Sequence, residues 1–174
     1  KKVYYDDLLG RAVSKFVPAE DLVVPYSATS LEDATAVVHV IKTNQNDLRK
    51  QQVNGFYRDV ELGEPADTES DLDRKERELE GIQKTQNEDV YNILEFHIDL
   101  DLEGFEDRDD AGEITGIKLP YIVTLEEATR EVLAIRRNFQ PTDPLKKKIT
   151  YFVHFKFLPG LGFYGFGLIH MIGG

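Results

Sequence analysis

Three groups of residues have types and spacings that could do chemistry. Gly160-x-Gly162-x-x-Gly165 has the spacing of a dinucleotide-binding turn. Such a phosphate cradle needs a βαβ unit, a helix opening at the third glycine and an acidic residue ~20 positions on. Here Pro159 and alternating aromatics surround the glycines, and the strand before them belongs to a meander. The spacing therefore reads as a tight backbone bend in which glycine lets aromatic rings lie against main chain. The second group, Asp99-x-Asp101-x-Glu103-Gly104 with Asp107 and Asp110, echoes a calcium loop, since hard cations take clustered oxygens. Glu sits at the third ligand position, Asp replaces the closing bidentate Glu, and a strand rather than a helix leads in. The pattern predicts a solvated acidic loop at a strand end.

The third group is the histidines. His97 and Asp99 share one strand face, placed to share a hydrogen bond or a metal with a partner elsewhere in the chain. His39 and His154 lie among apolar residues and read as packed core or interface groups. The chain has no His-Glu-x-x-His, no Gly-x-Ser-x-Gly and no P-loop. Zero cysteines exclude a disulfide framework, a thiolate zinc site and a cysteine nucleophile. Carboxylates are abundant, but a general acid needs a raised pKa in a cleft, and these acids cluster where solvent is expected. No catalytic residue, cofactor-binding residue or metal ligand is assigned. No cofactor and no enzymatic activity are expected.

The elements that must position these residues follow from pattern. Asn92 to Leu102 alternates strictly, with Leu94, Phe96, Ile98, Leu100 and Leu102 on one face and Glu95, His97, Asp99 and Asp101 on the other. Period two predicts a strand buried on its apolar face. Ile117 to Leu125 alternates likewise, and Val132 to Phe139 answers it as a β-hairpin. Ile149 to Leu158 predicts a further aromatic-rich strand. Arg11 to Val24 reads as short extended pieces around a turn at Pro18-Ala19-Glu20-Asp21. Ser30-Leu31-Glu32-Asp33 resembles a capping box, and β-branched Val37, Val38, Val40 and Ile41 favour a strand. Asn46 or Thr43 can cap a helix from about Asp47 to Asp59, weakened at Gly55 by roughly 1 kcal/mol. Ser70 caps a second, Glu- and Arg-rich helix to about Lys84.

The sum is an α+β fold: a mostly antiparallel sheet or meander with two main helices. At 174 residues, 41% hydrophobic and 10% aromatic, the chain can bury the core of one ordinary domain. It is expected to divide into an extended part (1–45), a helical acidic part (46–90), antiparallel strands (91–158) and a Gly/aromatic segment (159–174). No stretch approaches the ~18 apolar residues that span a bilayer, and no membrane partner is expected. The net charge is −11, distributed unevenly: residues 59–113 hold 21 acidic and 5 basic side chains. That middle is a self-repelling solvated surface, and so acidic a chain is not expected to grip nucleic acid over most of its surface. Opening Lys1-Lys2-Val3 without methionine and closing Ile172-Gly173-Gly174, the sequence reads as an internal piece of a longer protein.

Several separated segments resemble portal proteins of short-tailed double-stranded DNA bacteriophages. Pro18-Ala19-Glu20-Asp21-Leu22-Val23-Val24-Pro25 followed by Ala28-Thr29-Ser30-Leu31-Glu32-Asp33-Ala34 is similar to a segment of that family, and Gly55-Phe56-Tyr57-Arg58-Asp59-Val60 to the end of the helix after it. Pro120 to Thr124 with Val132 to Asn138 resembles the wing-region hairpin. Phe157-Leu158-Pro159-Gly160-Leu161-Gly162-Phe163-Tyr164-Gly165-Phe166-Gly167-Leu168-Ile169-His170 resembles the run before the family's long helical stem. The resemblance implies a virion structural protein covering the wing and adjoining core. It implies self-association into a homo-oligomeric ring, usually a dodecamer, at one capsid vertex. Double-stranded DNA would pass through that ring during genome packaging and ejection. Capsid or scaffold protein, terminase and tail proteins are the implied partners, with assembly in the host cytoplasm. Two other classes fit the residues alone: a different virion or scaffold assembly protein, and a calcium-dependent binding module built on the Asp99 loop.

Overall fold

A run crowded with β-branched side chains and a well-capped helix set the first half of the fold. The computed structural model describes residues 1–6, 10–65, 75, 78–79, 81, 90–156, 158–160, 162–167 and 172. Strands β1 (Lys2–Asp6) and β2 (Arg11–Lys15) form a two-stranded antiparallel sheet. Strands β3 (Leu22–Val23), β4 (Ala36–Asn44), β5 (Val90–Leu100), β6 (Leu119–Glu126) and β7 (Val132–Arg137) form a five-stranded sheet in that order. One helix, α1 (Gln45–Val53), joins them among the described residues. The architecture is thus α+β with mostly antiparallel strands. The expected second helix, 70–84, falls outside the described residues except for Lys75, Glu78 and Leu79, which are helical, and Gly81 in a turn.

The chain divides into two compact units. One comprises residues 1–39, 95–123 and 135–174, the other 40–94 and 124–134. In the first unit, Val17, Ala28, Leu31, Ala34, Val37, Phe152 and Phe163 form one core, and Leu119, Tyr121 and Phe139 a smaller one with Leu100 and Leu102. The turn at Pro18 to Asp21 is present, closed by the Leu22 amide donating to the Ala19 carbonyl at 3.2 Å. The capping box also forms: the Ser30 amide donates to Asp33 Oδ1 at 2.8 Å and the Asp33 amide returns to Ser30 Oγ at 3.3 Å. The Thr29 hydroxyl first, and then the Ser30 and Thr29 amides, donate to the Asp33 carboxylate and hold it down at about 2.

In the second unit, Leu48 on α1 packs with Tyr91, Ile93 and Leu133. Two helix details differ from the sequence reading. The cap is Asn44, not Thr43 or Asn46, because its side-chain oxygen reaches the Asp47 amide at 2.8 Å. The helix stops at Val53 rather than Asp59, because Gly55 adopts φ +72° and Phe56 donates back to the Gln51 carbonyl. Gly55 is a helix stop rather than a weak interior position.

The β6–β7 hairpin forms, closed by the Glu126 amide donating to the Glu131 carbonyl and Arg130 to Glu126. Its alternation does not run through. Leu119 and Tyr121 are buried in one unit, but Thr124 and Glu126 are the buried pair in the other, in place of the expected Leu125. Glu126 staples the turn: its carboxylate accepts from the amides of Ala128 (3.0 Å) and Thr129 (2.8 Å) and from the Thr129 hydroxyl. Burial pushes that carboxyl up, and these donors, Thr129 foremost, outweigh it and hold it below the usual range. Glu126→Ala orphans them and is expected to lower the unfolding free energy by about 2 kcal/mol, read by urea denaturation. An unchanged midpoint would mean the turn holds without its carboxylate.

Residues 149–158 differ from expectation as well. Among the described residues they form no continuous strand: the bridges are single residues, Lys2 with Phe152 and Leu158 with Phe166. The segment turns Phe152 inward and packs Tyr151 against the core, but leaves Val153 and Phe155 to solvent.

Candidate functional site

The most concentrated electrostatics lie in the first unit, around a residue that the alternation pattern placed on a solvated face. The Val3 amide donates to the Tyr151 carbonyl at 2.7 Å and the Val153 amide to Lys1 at 2.8 Å, which fixes 151–153 alongside the start of β1. Lys2 is thereby delivered over β5, where its Nζ donates to both Glu95 oxygens at 2.6 and 2.8 Å. The same Oε1 meets His97 Nε2 at 2.7 Å. His39 on β4 brings Nδ1 to 3.9 Å from that oxygen, too far for a hydrogen bond, and this buried nitrogen has no other partner. Aromatic rings close the cluster. Phe152 stands edge-on to His39 at 5.6 Å and to His97 at 5.1 Å, with Tyr151 at 5.7 Å from His97.

This arrangement overturns the expected faces of β5. Leu94, Phe96, Ile98 and Leu100 are half-buried, whereas His97, from the face expected to be polar and solvated, is 4% exposed. The cause is the long-range cover by Lys2, Tyr151 and Phe152. Burial pushes the Glu95 carboxyl up, but the His97 hydrogen bond and the Lys2 charge outweigh it and hold it down at about 2. Burial first, and then the Lys2 charge, lower His39 to about 4, so it is neutral at pH 7. Burial and the Glu95 charge raise the Tyr151 hydroxyl. The expected His97–Asp99 pairing is absent: His97 is taken by Glu95, two residues earlier, and Asp99 is exposed. Among the described residues no three His, Asp or Glu side chains converge as metal ligands, and the charge on Glu95 is balanced by an ammonium. Chemically the cluster is a buried lock of one ammonium, one carboxylate and two imidazoles.

Beside it, sharing Phe152, runs an open apolar groove of about 720 Å³ lined by Phe16, Leu31, Phe155, Phe163 and Tyr164 among others. Its charged lining residues are Lys1 and Lys156, and none is acidic. The glycine spacing at 160–165 builds one wall. A Cβ at Gly165 would lie 2.6 Å from the Leu158 carbonyl oxygen, and one at Gly160 would lie 3.3 Å from the Phe166 ring. Gly160 and Gly165 therefore serve a close backbone bend, closed by the Phe166 amide donating to the Leu158 carbonyl at 2.9 Å. His154 stacks on Phe163 at 4.2 Å, and burial lowers its pKa.

In the acidic loop, Asp107 pairs with Lys146 and accepts from the Thr115 hydroxyl at 2.7 Å. Asp109 caps the 109–112 turn through the Ala111 and Glu113 amides. Asp99, Asp101, Glu103 and Asp110 are exposed. The residues that echoed a calcium loop are thus divided between an ion pair, a turn cap and solvent. Sequence reasoning missed Lys2 and Glu95. The available signal was Glu95-x-His97 on one strand face with His39 buried in another strand. No described helix is long and apolar enough to cross a membrane. Searches against known protein families, curated proteins and solved structures returned no match.

Proposed function

We propose that the chain is a structural piece of a phage portal protein, the wing and adjoining core of a subunit that joins identical copies in a ring at a capsid vertex. Double-stranded DNA would be packaged and ejected through that ring, with terminase, capsid or scaffold and tail proteins as partners. This piece carries out no turnover of its own and acts in the virion. The reading rests on the four separated segments of resemblance, in their order along the chain. The observation that carries it further is the open aromatic groove, part of whose lining, Phe163 to Gly167, belongs to the last of those segments. Contiguous apolar surface of this kind marks an interaction site, and its lining offers rings and main chain rather than convergent acid–base groups. The competing reading is another virion or scaffold protein with a similar α+β wing, and it differs in symmetry.

Electron microscopy and mass photometry of the full-length protein test the choice. The expected result is a closed cyclic ring, as homomeric head-to-tail contacts require when their rotation closes. A full-length protein that stays monomeric or dimeric at every concentration overturns the portal reading, and open filaments favour the alternative.

A further inference from the structure

The first unit carries, besides the groove, a projection of matching chemistry. Phe105 is 57% exposed where it closes the turn after β5, and Asp101, Glu103 and Glu106 surround it in sequence. This turn is rigid. The Phe105 amide donates to the Leu102 carbonyl at 2.9 Å, Gly104 takes φ +82°, and the Gly104 amide donates to Glu106 Oε1 at 2.9 Å. The hydroxyl of buried Tyr121 donates to the Phe105 carbonyl at 3.2 Å. An apolar ring is thus left mostly exposed on a hydrogen-bonded turn. A pre-ordered aromatic loses little conformational freedom on docking, which is what makes such side chains effective anchors.

The groove offers the complement. Phe155, 86% exposed, and Phe16, 73% exposed, flank it. Lys156 is held at its rim by donating to the Thr29 and Gly162 carbonyls, and Lys1 is the other lining charge. An aromatic tip among carboxylates meets an aromatic trough among ammonium groups.

We infer that the groove of one copy receives the Phe105 loop of a second copy of this chain. Resting on the assembly reading above, this names the two faces that meet. Because knob and groove are different surfaces of the same chain, the contact is head-to-tail, and a joined pair keeps one free knob on one copy and one free groove on the other for the next. Glu106 is engaged within its own loop by the Gly104 amide and Arg108, so exposed Asp101 and Glu103 face Lys1 and Lys156 and make the contact weaken as salt rises.

Sedimentation velocity on the 174-residue chain tests this with two variants, Phe105→Asp and Phe155→Asp. Both rings are exposed, so unchanged melting curves are expected for each. Each variant alone is expected to weaken self-association by at least about 30-fold. An equimolar mixture of the two is expected to form a two-chain complex and nothing larger, because one copy retains the groove and the other the knob. A wild-type chain that remains monomeric at high concentration overturns the inference. So do variants that associate like wild type, or a mixture that stays monomeric. Full-length rings that form despite both substitutions refute these faces while leaving the ring reading standing. A complementing pair whose full-length parent forms no ring does the reverse.

Discussion

Replacing Glu95 with alanine is expected to lower the unfolding free energy by about 3–5 kcal/mol, because it leaves a buried cation and a buried imidazole without their shared acceptor. Lys2 and Glu95 each expose 15% of their side chains. The Lys2 ammonium lies 5.8 Å from the Phe152 ring centroid, a contact too weak to replace a carboxylate held by two short hydrogen bonds. His97 Nε2 would face Tyr151 and Phe152 with nothing to bond. Glu95→Gln keeps the volume and one acceptor, so a loss of about half that size is expected. Lys2→Met in the alanine background removes the stranded cation and is expected to recover part of the stability, since apolar replacement of a buried pair is often tolerated. Urea denaturation of the three variants reads the series. A loss under about 1 kcal/mol for Glu95→Ala would mean that water reaches Lys2 and His97 in the folded chain, in the manner of an exposed pair.

The cluster also measures how far the sequence can be read. Local rules worked where local chemistry decides the outcome. The Ser30–Asp33 box, the Pro18 turn, the β-branched run of β4 and the hairpin of β6 and β7 all form as their patterns predict. The rules failed where distant chain supplies the cover. Strict alternation in β5 placed Glu95 and His97 toward water, yet Lys2 and Phe152, far away in sequence, pack over them. Alternation reports which residues are apolar, and burial depends on what arrives from elsewhere. In β6 the inward parity changes after Val123, where the strand leaves one unit for the other, and no pattern within eight residues encodes that change. Gly55 shows a different failure. Its helical propensity suggested a cost inside a helix, whereas its positive φ ends the helix outright. The glycine spacing at 160–165 was legible as a bend because proline and aromatics surround it. The groove it borders was not, because Phe16 and Phe155 reach it from separate segments.

Acidification should then dissect the same cluster, in two separable windows. In the folded chain His39 takes up its proton only near pH 4, against an ordinary 6.5, because burial beside Phe152 and the neighbouring charge of Lys2 disfavour the cation. The other groups acting on it do not reverse this: Glu95 raises it, and Lys15 and His97 lower it further. Between those two values the unfolded chain binds a proton that the folded chain refuses, so stability falls as pH falls through that window. At about 1.4 kcal/mol per pKa unit the loss is on the order of 3 kcal/mol. His154, also lowered by burial, acts in the same direction. Glu95 acts in the next window, in the same direction as Asp33 and Glu126, whose carboxyls are also held down. Its folded value near 2 lies below the ordinary 4.5, so its contribution is complete above pH 4.5 and disappears as pH falls toward 2. Urea midpoints measured from pH 7.5 to pH 3 should therefore decline in two stages. His39→Leu, which fills a similar volume without a titrating nitrogen, should flatten most of the upper stage and leave the lower one. If the variant declines between pH 6.5 and 4 as steeply as wild type, His39 is not the group that refuses the proton, and the lock around Glu95 is open to solvent.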